Sequence, residues 1–184
     1  MRQGTKVGII GSGNIGQRLA KKLMARGCNV VFTTDSKQIR LAEGNNIGIE
    51  DWLNYCRDLE VLFLAIPTSD DGAAARDYIL GALKLNSSIV VVTCEKGAVS
   101  NYFSEIESFL SRIGYNATVG GGSMMLDHLV HRINPGVKEV HVILNGTLNY
   151  LWDGLAQGRP LGQVVEEAQN LGYAEPGNSD ILHK

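Results

Sequence analysis

A glycine-rich loop, Gly11–Gly16, follows a short apolar run at Lys6–Ile10 and precedes the helical pattern of Asn14–Arg26. The loop reads G-x-G-x-x-G between a predicted strand and a predicted helix. In such a loop the first glycine allows a tight turn, the second lets backbone approach a pyrophosphate, and the third allows close helix packing. The helix N-terminus adds amide donors and partial positive charge. This context predicts a dinucleotide-binding loop rather than a glycine-rich turn without a ligand.

Strand and helix patterns alternate through the first two thirds of the chain. Parallel strands need crossover connections, so this alternation predicts an α/β fold, a Rossmann-type doubly wound parallel sheet over residues 1–120. The predicted strands are Lys6–Ile10, Asn29–Thr33, Glu60–Ile66 and Ser88–Thr93. The predicted helices are Asn14–Arg26, Glu50–Arg57, Asp70–Leu83 and Asn101–Ile113.

The pattern changes after the glycine triplet at Gly120–Gly122, which we interpret as a hinge. The segments that follow are typical of α+β structure and are assigned to a second domain, residues 121–184. They comprise helical patterns at Met124–Ile133, Leu148–Ala156 and Leu161–Leu171, and an alternating strand pattern at Glu139–Leu144.

Composition excludes several classes of protein. The 184 residues carry a formal charge of −2, and lysine and arginine form no runs, so nucleic acid is not the expected partner. No apolar stretch approaches the roughly 20 residues needed to cross a bilayer, and the N-terminus lacks a signal-peptide pattern. We therefore expect a cytoplasmic protein. The cysteines Cys28, Cys56 and Cys94 are interpreted as reduced, mostly buried thiols.

The choice between NAD and NADP stays open at this stage. Asp35 lies near the end of the second predicted strand, where a carboxylate would bond ribose hydroxyls and favour NAD. The strand could also end at the neutral Thr34, which would leave Asp35 as a turn residue. Lys37 and Arg40 are near enough in sequence to meet a 2′-phosphate.

Four segments carry a resemblance to a known family: TCEKGA at Thr93–Ala98, VGGG at Val119–Gly122, NGTLNY at Asn145–Tyr150, and EEAQNLGYAEP at Glu166–Pro176. Together they resemble homoserine dehydrogenase, and the likeness spans nearly the whole chain. That family interconverts aspartate 4-semialdehyde and homoserine with a nicotinamide cofactor, in threonine and methionine biosynthesis. The resemblance implies an oxidoreductase with a partial substrate-binding and dimerisation domain after residue 120, and a homodimer as the assembly.

By this resemblance Lys96 matches the lysine of the family's N-K-x-A segment, beside the nicotinamide and the substrate oxygen. The family's asparagine is replaced here by Glu95. A lysine at the carboxyl end of a strand could stabilise developing alkoxide charge or donate a proton. The residues assigned to cofactor binding are Gly11, Gly13, Asn14, Ile15, Gly16, Asp35, Pro67, Thr68 and Lys96.

The resemblance places the substrate on Gly146, Thr147, Tyr173 and Glu175. Gly146 would allow close backbone approach, Thr147 would bond the amino-acid portion, and Tyr173 would line the pocket. Glu175 would bind the ammonium group and counts among the catalytic residues. Thr147 has an alternative interpretation as a helix N-cap, a position that threonine favours.

Asp180 and Lys184 have the i, i+4 spacing of the family's acid/base pair, which would place both on one helical face. The loop before them is several residues shorter than in the family. We therefore expect the chain to be a fragment that binds cofactor and turns over poorly. No metal is assigned, because His128 and His131 lack a third ligand and Asn116 replaces an acidic residue near the family's sodium site.

Two alternatives stay open beside the dehydrogenase. One is a dinucleotide-binding module or truncated homologue without turnover. The other is a related dehydrogenase of a different small amino-acid aldehyde. Hydride-transfer activity separates the module from both enzymes, and a substrate panel separates the enzymes from each other.

Overall fold

The structure, a computed structural model, describes residues 1–132, 136–139, 141 and 145–174. A seven-stranded sheet with the order β4-β3-β2-β1-β5-β6-β7 forms its largest element. The strands are β1 Lys6–Ile10, β2 Asn29–Thr34, β3 Gln38–Leu41, β4 Asn46–Gly48, β5 Val61–Leu64, β6 Val90–Thr93 and β7 Ile113–Gly114.

The strand β1 lies at the centre of the sheet and pairs in parallel with β2 on one side and β5 on the other. Its side chains alternate between two cores, because successive residues of a strand face opposite sides of the sheet. Val7 and Ile9 pack in one core with Ala20 and Leu23 of the first helix. Ile10 packs in the other core, with most of the buried helical residues. Helices therefore cover both faces, which confirms the predicted α/β class.

The helices of the sheet-containing part are α1 Asn14–Ala25, α2 Trp52–Tyr55, α3 Ala73–Leu85, α4 Gly97–Asn101, α5 Phe103–Ile106 and α6 Met125–Arg132. The predicted α1 and α3 agree with the structure within a few residues. None of the helices among the described residues is long and apolar enough to cross a membrane.

An antiparallel hairpin after β2 was not predicted. The strand β3 pairs with β2 and with β4 in antiparallel fashion, on the outer edge of the sheet. Its sequence, QIRL, alternates polar and apolar residues over only four positions, too few for periodicity to identify a strand. The hairpin comes before the short helical segment at Ile49–Asp51 and Trp52–Tyr55, which lies within a residue or two of the predicted helix Glu50–Arg57 and leads to β5.

The predicted helix Asn101–Ile113 is wrong over its second half. The α-helix α5 ends at Ile106, a 3₁₀ segment covers Glu107–Arg112, and Ile113 begins β7. Ile113 pairs with Val91 of β6, so the sheet's free edge recruits it as a strand residue. Apolar spacing alone does not distinguish a helix from consecutive short turns that pack on the same core.

The described residues from Arg132 onward belong to a second compact unit, distinct from Met1–His131. Among its described residues, the helices are α7 Gly146–Ala156 and α8 Leu161–Asn170, which pack through Leu151, Val164 and Ala168. The predicted strand Glu139–Leu144 lies mostly outside the described residues. The domain boundary near residue 120 stays a prediction, since compactness alone does not define a domain.

Asn86 at the end of α3 joins three segments at the amino-terminal side of the sheet. Its Nδ2 donates to the carbonyls of Cys56, Arg57 and Leu59 at 3.0–3.1 Å. Its Oδ1 accepts from the backbone N–H groups of Ser88 and Ile89. One amide side chain thus fixes the turns that lead into β5 and β6.

We predict that Asn86→Ala lowers the free energy of unfolding by about 2–3 kcal/mol, because several carbonyl and amide groups lose their partner at once. Asn86→Asp is expected to cost at least as much, since a carboxylate oxygen would face three carbonyls. Urea denaturation measures both variants. The exposed Asn54 is the matched control, and Asn54→Ala should stay within about 0.5 kcal/mol of wild type. Equal effects at the two positions would contradict the role given to Asn86.

Candidate dinucleotide site

The strands β2, β1, β5 and β6 run in parallel, so their carboxyl ends meet at one edge of the sheet. The chain leaves β1 toward β2 and later returns to β5 on the other side of β1, which makes this edge a topological switch point. A cavity of about 420 Å³ lies there. Its lining residues are Ile10, Gly11, Ser12, Gly13, Thr34, Asp35, Ser36, Ala65, Ile66, Pro67, Ser69 and Tyr78.

The three glycines of the loop meet three different constraints. Gly11 has φ +107°, and a Cβ there would lie 2.3 Å from the Ala65 carbonyl oxygen. A Cβ at Gly16 would lie 1.8 Å from the Gly11 carbonyl oxygen, so only glycine lets α1 start this close to the loop. A Cβ at Gly13 would meet nothing within 4 Å. Gly11 and Gly16 are therefore required by the fold, whereas Gly13 opens toward free space.

The start of α1 offers backbone donors to an anion. Its N-cap is Gly13, which has no side chain to accept from the first amide groups of the helix. Such amide groups lack partners within the helix and carry the positive end of the helix dipole. Asn14 and Ile15 in the first turn are exposed beside them. The loop thus fits a pyrophosphate by both its space and its donors.

Asp35 is held inside the turn between β2 and β3. β2 ends at Thr34, and the Asp35 carboxylate accepts from the backbone N–H groups of Lys37 at 2.9 Å and Gln38 at 3.0 Å. Arg40 donates to its second oxygen at 2.9 Å, and Gln38 Nε2 approaches that oxygen at 3.4 Å. The Lys37 amide, followed by that of Gln38, lowers the pKa of Asp35. Asp35 is a turn residue that also lines the cavity.

Pro67 and Thr68 follow β5, but only Pro67 lines the cavity. Thr68 Oγ1 donates instead to Glu95 Oε1 at 2.6 Å. Tyr78 of α3 also lines the cavity, and burial raises the pKa of its phenol. Sequence reasoning missed Tyr78, because nothing in its local pattern separates it from other half-buried residues of α3.

Lys96 lies at the carboxyl end of β6, between the buried Glu95 and the first residue of α4. Its side chain is exposed and is outside the cavity lining. Within the described ranges no ion pair involves it. The neighbouring Cys94 is half-buried, and burial raises the pKa of its thiol. The lysine is therefore placed at the edge predicted for it, with its charge free for a ligand.

Three of the predicted substrate residues line one depression in the second unit, of about 630 Å³. Its lining residues are Gly146, Thr147, Asn149, Tyr150, Trp152, Asp153, Ala156 and Tyr173. The interpretation of Thr147 as an N-cap is wrong. Asn145 occupies that position and accepts from the Leu148 N–H at 2.9 Å, because the helix begins two residues earlier than predicted.

The Thr147 hydroxyl donates to the carbonyl of Tyr173, which joins the start of α7 to the segment after α8. The Tyr173 ring packs against Tyr150 with ring centroids 5.2 Å apart. Glu175, Asp180 and Lys184 lie outside the described residues, so their predicted roles have no structural account.

Two histidines of the described ranges each contact one carboxylate. His131 contacts Asp127 at 3.3 Å, and His141 contacts Glu139 at 2.9 Å. No group of three or more candidate metal ligands occurs in the part of the chain that the structure describes.

Two family models of known proteins match two different parts of the chain. Residues 6–94 match the family model of coenzyme F420-dependent NADP oxidoreductases. Residues 128–181 match the homoserine dehydrogenase family model. A crystal structure of homoserine dehydrogenase from Thermoplasma acidophilum superposes with a TM-score of 0.74 at 25% identity, over 97% of this chain. The chain is thus similar to homoserine dehydrogenases over nearly its whole length.

Homoserine dehydrogenase of Pyrococcus horikoshii is 22% identical over 92% of this chain. A chloroplastic bifunctional aspartokinase/homoserine dehydrogenase of Arabidopsis thaliana is 31% identical over 62% of it. The chain spans 61% of the length of the Pyrococcus homoserine dehydrogenase, 13% of the Arabidopsis protein and 64% of the Thermoplasma chain. These homologues confirm the predicted resemblance and the Rossmann-like fold.

The glycine geometry predicts opposite outcomes for two alanine variants. Gly13→Ala should leave the melting temperature within about 2 °C of wild type, because its Cβ enters free space. Gly16→Ala should lower it by about 8 °C or more, since its Cβ would overlap the Gly11 carbonyl. Differential scanning calorimetry compares the two, and equal melting temperatures would argue against the close contact between loop and helix.

Proposed function

We propose that the protein is an NAD(P)-dependent oxidoreductase that interconverts L-aspartate 4-semialdehyde and L-homoserine. The observation that carries this proposal is a glycine loop with an open second glycine at the switch point of the sheet, in a chain similar to the homoserine dehydrogenases. The match of residues 6–94 to NADP oxidoreductases supports the cofactor class.

The dinucleotide's pyrophosphate would lie on the Gly11–Gly13 loop and the first turn of α1. One nucleoside would extend toward Asp35 at the end of β2, and the other toward Pro67 and Lys96 at the ends of β5 and β6. When bound, the nicotinamide supplies or accepts the hydride. The chain's own tasks are to orient the reactants, to exclude water and to handle one proton.

Lys96 would handle charge on the substrate oxygen. An ammonium group stabilises an alkoxide that develops during hydride transfer, and it can donate the proton that completes an alcohol. The exposed position of Lys96 and the absence of an ion pair to it within the described residues support this role. The interaction of Lys96 with the substrate oxygen strengthens as that oxygen becomes negative. Lys96 therefore stabilises the transition state more than the bound substrate.

The depression on α7 would take the amino-acid portion of the substrate. Gly146, Thr147 and Tyr173 line it, and Thr147 can still accept a hydrogen bond while it donates to Tyr173. By the family resemblance Glu175 would bind the ammonium group, with Asp180 and Lys184 as the acid/base pair.

The cofactor is NADP or NAD, and Asp35 and Arg40 are the residues that bear on the choice. The four acceptor positions of the Asp35 carboxylate are engaged by Lys37, Gln38 and Arg40. A ribose diol would have to displace one of these donors, whereas a 2′-phosphate would attract Arg40 and meet repulsion from Asp35.

We further propose that the protein acts in the cytoplasm, in threonine and methionine biosynthesis, and as a homodimer. These assignments are supported by the family resemblance. A second candidate is a dinucleotide-binding module without turnover, which is favoured by the loop before Asp180, because that loop is shorter than in the family the chain resembles. Turnover with another small amino-acid aldehyde would make it a related dehydrogenase.

Gly13→Val should abolish binding of the reduced dinucleotide while the fold persists. The valine side chain would fill the space that the glycine leaves open for the pyrophosphate. Isothermal titration with NADH and NADPH measures the affinity, and circular dichroism checks the fold. Equal affinity in wild type and variant would show that the loop does not bind the dinucleotide.

Lys96→Ala should lower kcat at least about 100-fold and change dinucleotide affinity by less than about threefold. The assay follows absorbance of the reduced cofactor with aspartate semialdehyde. Lys84→Ala, which removes an exposed lysine of α3, is the matched control and should retain kcat. A variant with wild-type kcat would exclude Lys96 from the chemistry, and a wild type that binds cofactor without turnover would favour the binding module.

A further inference from the structure

Glu95 is a buried carboxylate at the carboxyl end of β6. It is 2% exposed, and a buried carboxylate is costly unless donors surround it. Three donors are present. Thr68 Oγ1 donates to Oε1 at 2.6 Å, the Gly97 N–H donates to Oε1 at 2.5 Å, and the Ala98 N–H donates to Oε2 at 2.8 Å. Glu95 therefore binds both its own loop and the loop that follows β5.

Further contacts hold the same two loops together. Asn101 Nδ2 donates to the Asp71 carbonyl at 2.7 Å. Gly72 has φ +97°, and a Cβ there would lie 2.2 Å from the Ala98 nitrogen. The backbones of the two loops thus touch, and Thr68 with Glu95 forms the hydrogen bond between side chains that links them.

Lys96 lies within the segment that Glu95 fixes. The carboxylate of Glu95 accepts from the two residues after Lys96, so it holds the backbone on the far side of the lysine. The Thr93 hydroxyl accepts from the Glu95 N–H at 3.0 Å and holds the near side. The lysine side chain remains exposed on a backbone fixed at both ends.

We infer that Glu95 is a positioning residue for the nicotinamide half of the site, and that it acts by locking the Thr68 loop against the Lys96 segment. The inference rests on the proposed function and deepens it. The family resemblance has asparagine at this position, which is one methylene shorter and has a single acceptor atom. Asparagine cannot accept from all three donors, so the connection between the Thr68 loop and the Lys96 segment depends on the glutamate of this chain. Glu95 is too deeply buried to touch the cofactor itself.

The role of the hydrogen bond between Thr68 and Glu95 is tested on the full chain with two ligands. One is the reduced dinucleotide, and the other is ADP-ribose, which lacks the nicotinamide. Thr68→Val removes the hydroxyl with little change of shape. It should weaken binding of the reduced dinucleotide about tenfold and binding of ADP-ribose less than about twofold. Thr68→Ser restores the hydroxyl and should return the ratio of the two affinities toward wild type.

Glu95→Gln leaves at least one of the Gly97 and Ala98 amides without an acceptor, and should change the ratio of affinities in the same direction. The double variant Thr68→Val/Glu95→Gln should change the ratio of affinities no more than Glu95→Gln alone, because both substitutions disrupt the same contact. Additive effects, an unchanged ratio in Thr68→Val, or equal losses for both probes would overturn the inference. Thr68→Val and Thr68→Ser decide it even if Glu95→Gln fails to fold.

Failure of the proposed function gives a different result. A wild type that binds neither probe would contradict the proposed dinucleotide site and, with it, the role inferred for Glu95. If wild type binds both probes and Thr68→Val leaves the ratio of the two affinities unchanged, only the role inferred for Glu95 is contradicted.

Discussion

The parallel pairing of β1 with β2 and β5 is the constraint on which the rest of the structure depends. Parallel neighbours must be joined by crossovers, which place helices on both faces and bring all carboxyl ends to one edge. The chain must turn sharply after β1 to begin the first crossover. Gly11 and Gly16 allow that turn, because a Cβ at either would overlap backbone.

Two polar side chains, the half-buried Asn86 and the buried Glu95, hold the loops at opposite ends of the parallel strands. Asn86 fixes the turns at the amino-terminal side, and Glu95 fixes the loops at the carboxyl-terminal side. Each satisfies backbone groups that would otherwise be left without partners near the core. The two ends differ in one respect, because the cavity and Lys96 also lie at the carboxyl end, where we propose that the packing sets the geometry of the cofactor site.

The second unit has a smaller core and a different organisation. α7 and α8 pack through Leu151, Val164 and Ala168, and Gly154 lets the helices approach closely. Arg159 and Glu167 form an ion pair beside this contact. Thr147 in the first turn of α7 and Tyr173 after α8 line the depression that we propose for the amino-acid portion of the substrate.

The sequence by itself determined the central strands, the glycine loop and the homology, because these depend on local periodicity and on motifs of adjacent residues. It also placed Lys96 at a strand's carboxyl end. Tertiary structure alone decided that β3 and β4 extend the sheet, that Ile113 joins it, and that Asp35 is engaged by its own turn. The pairing of Thr68 with Glu95, 27 residues apart, likewise has no local signal. Such contacts are set by which segments the fold brings together, and a hydrogen bond between distant side chains leaves no periodicity in the sequence.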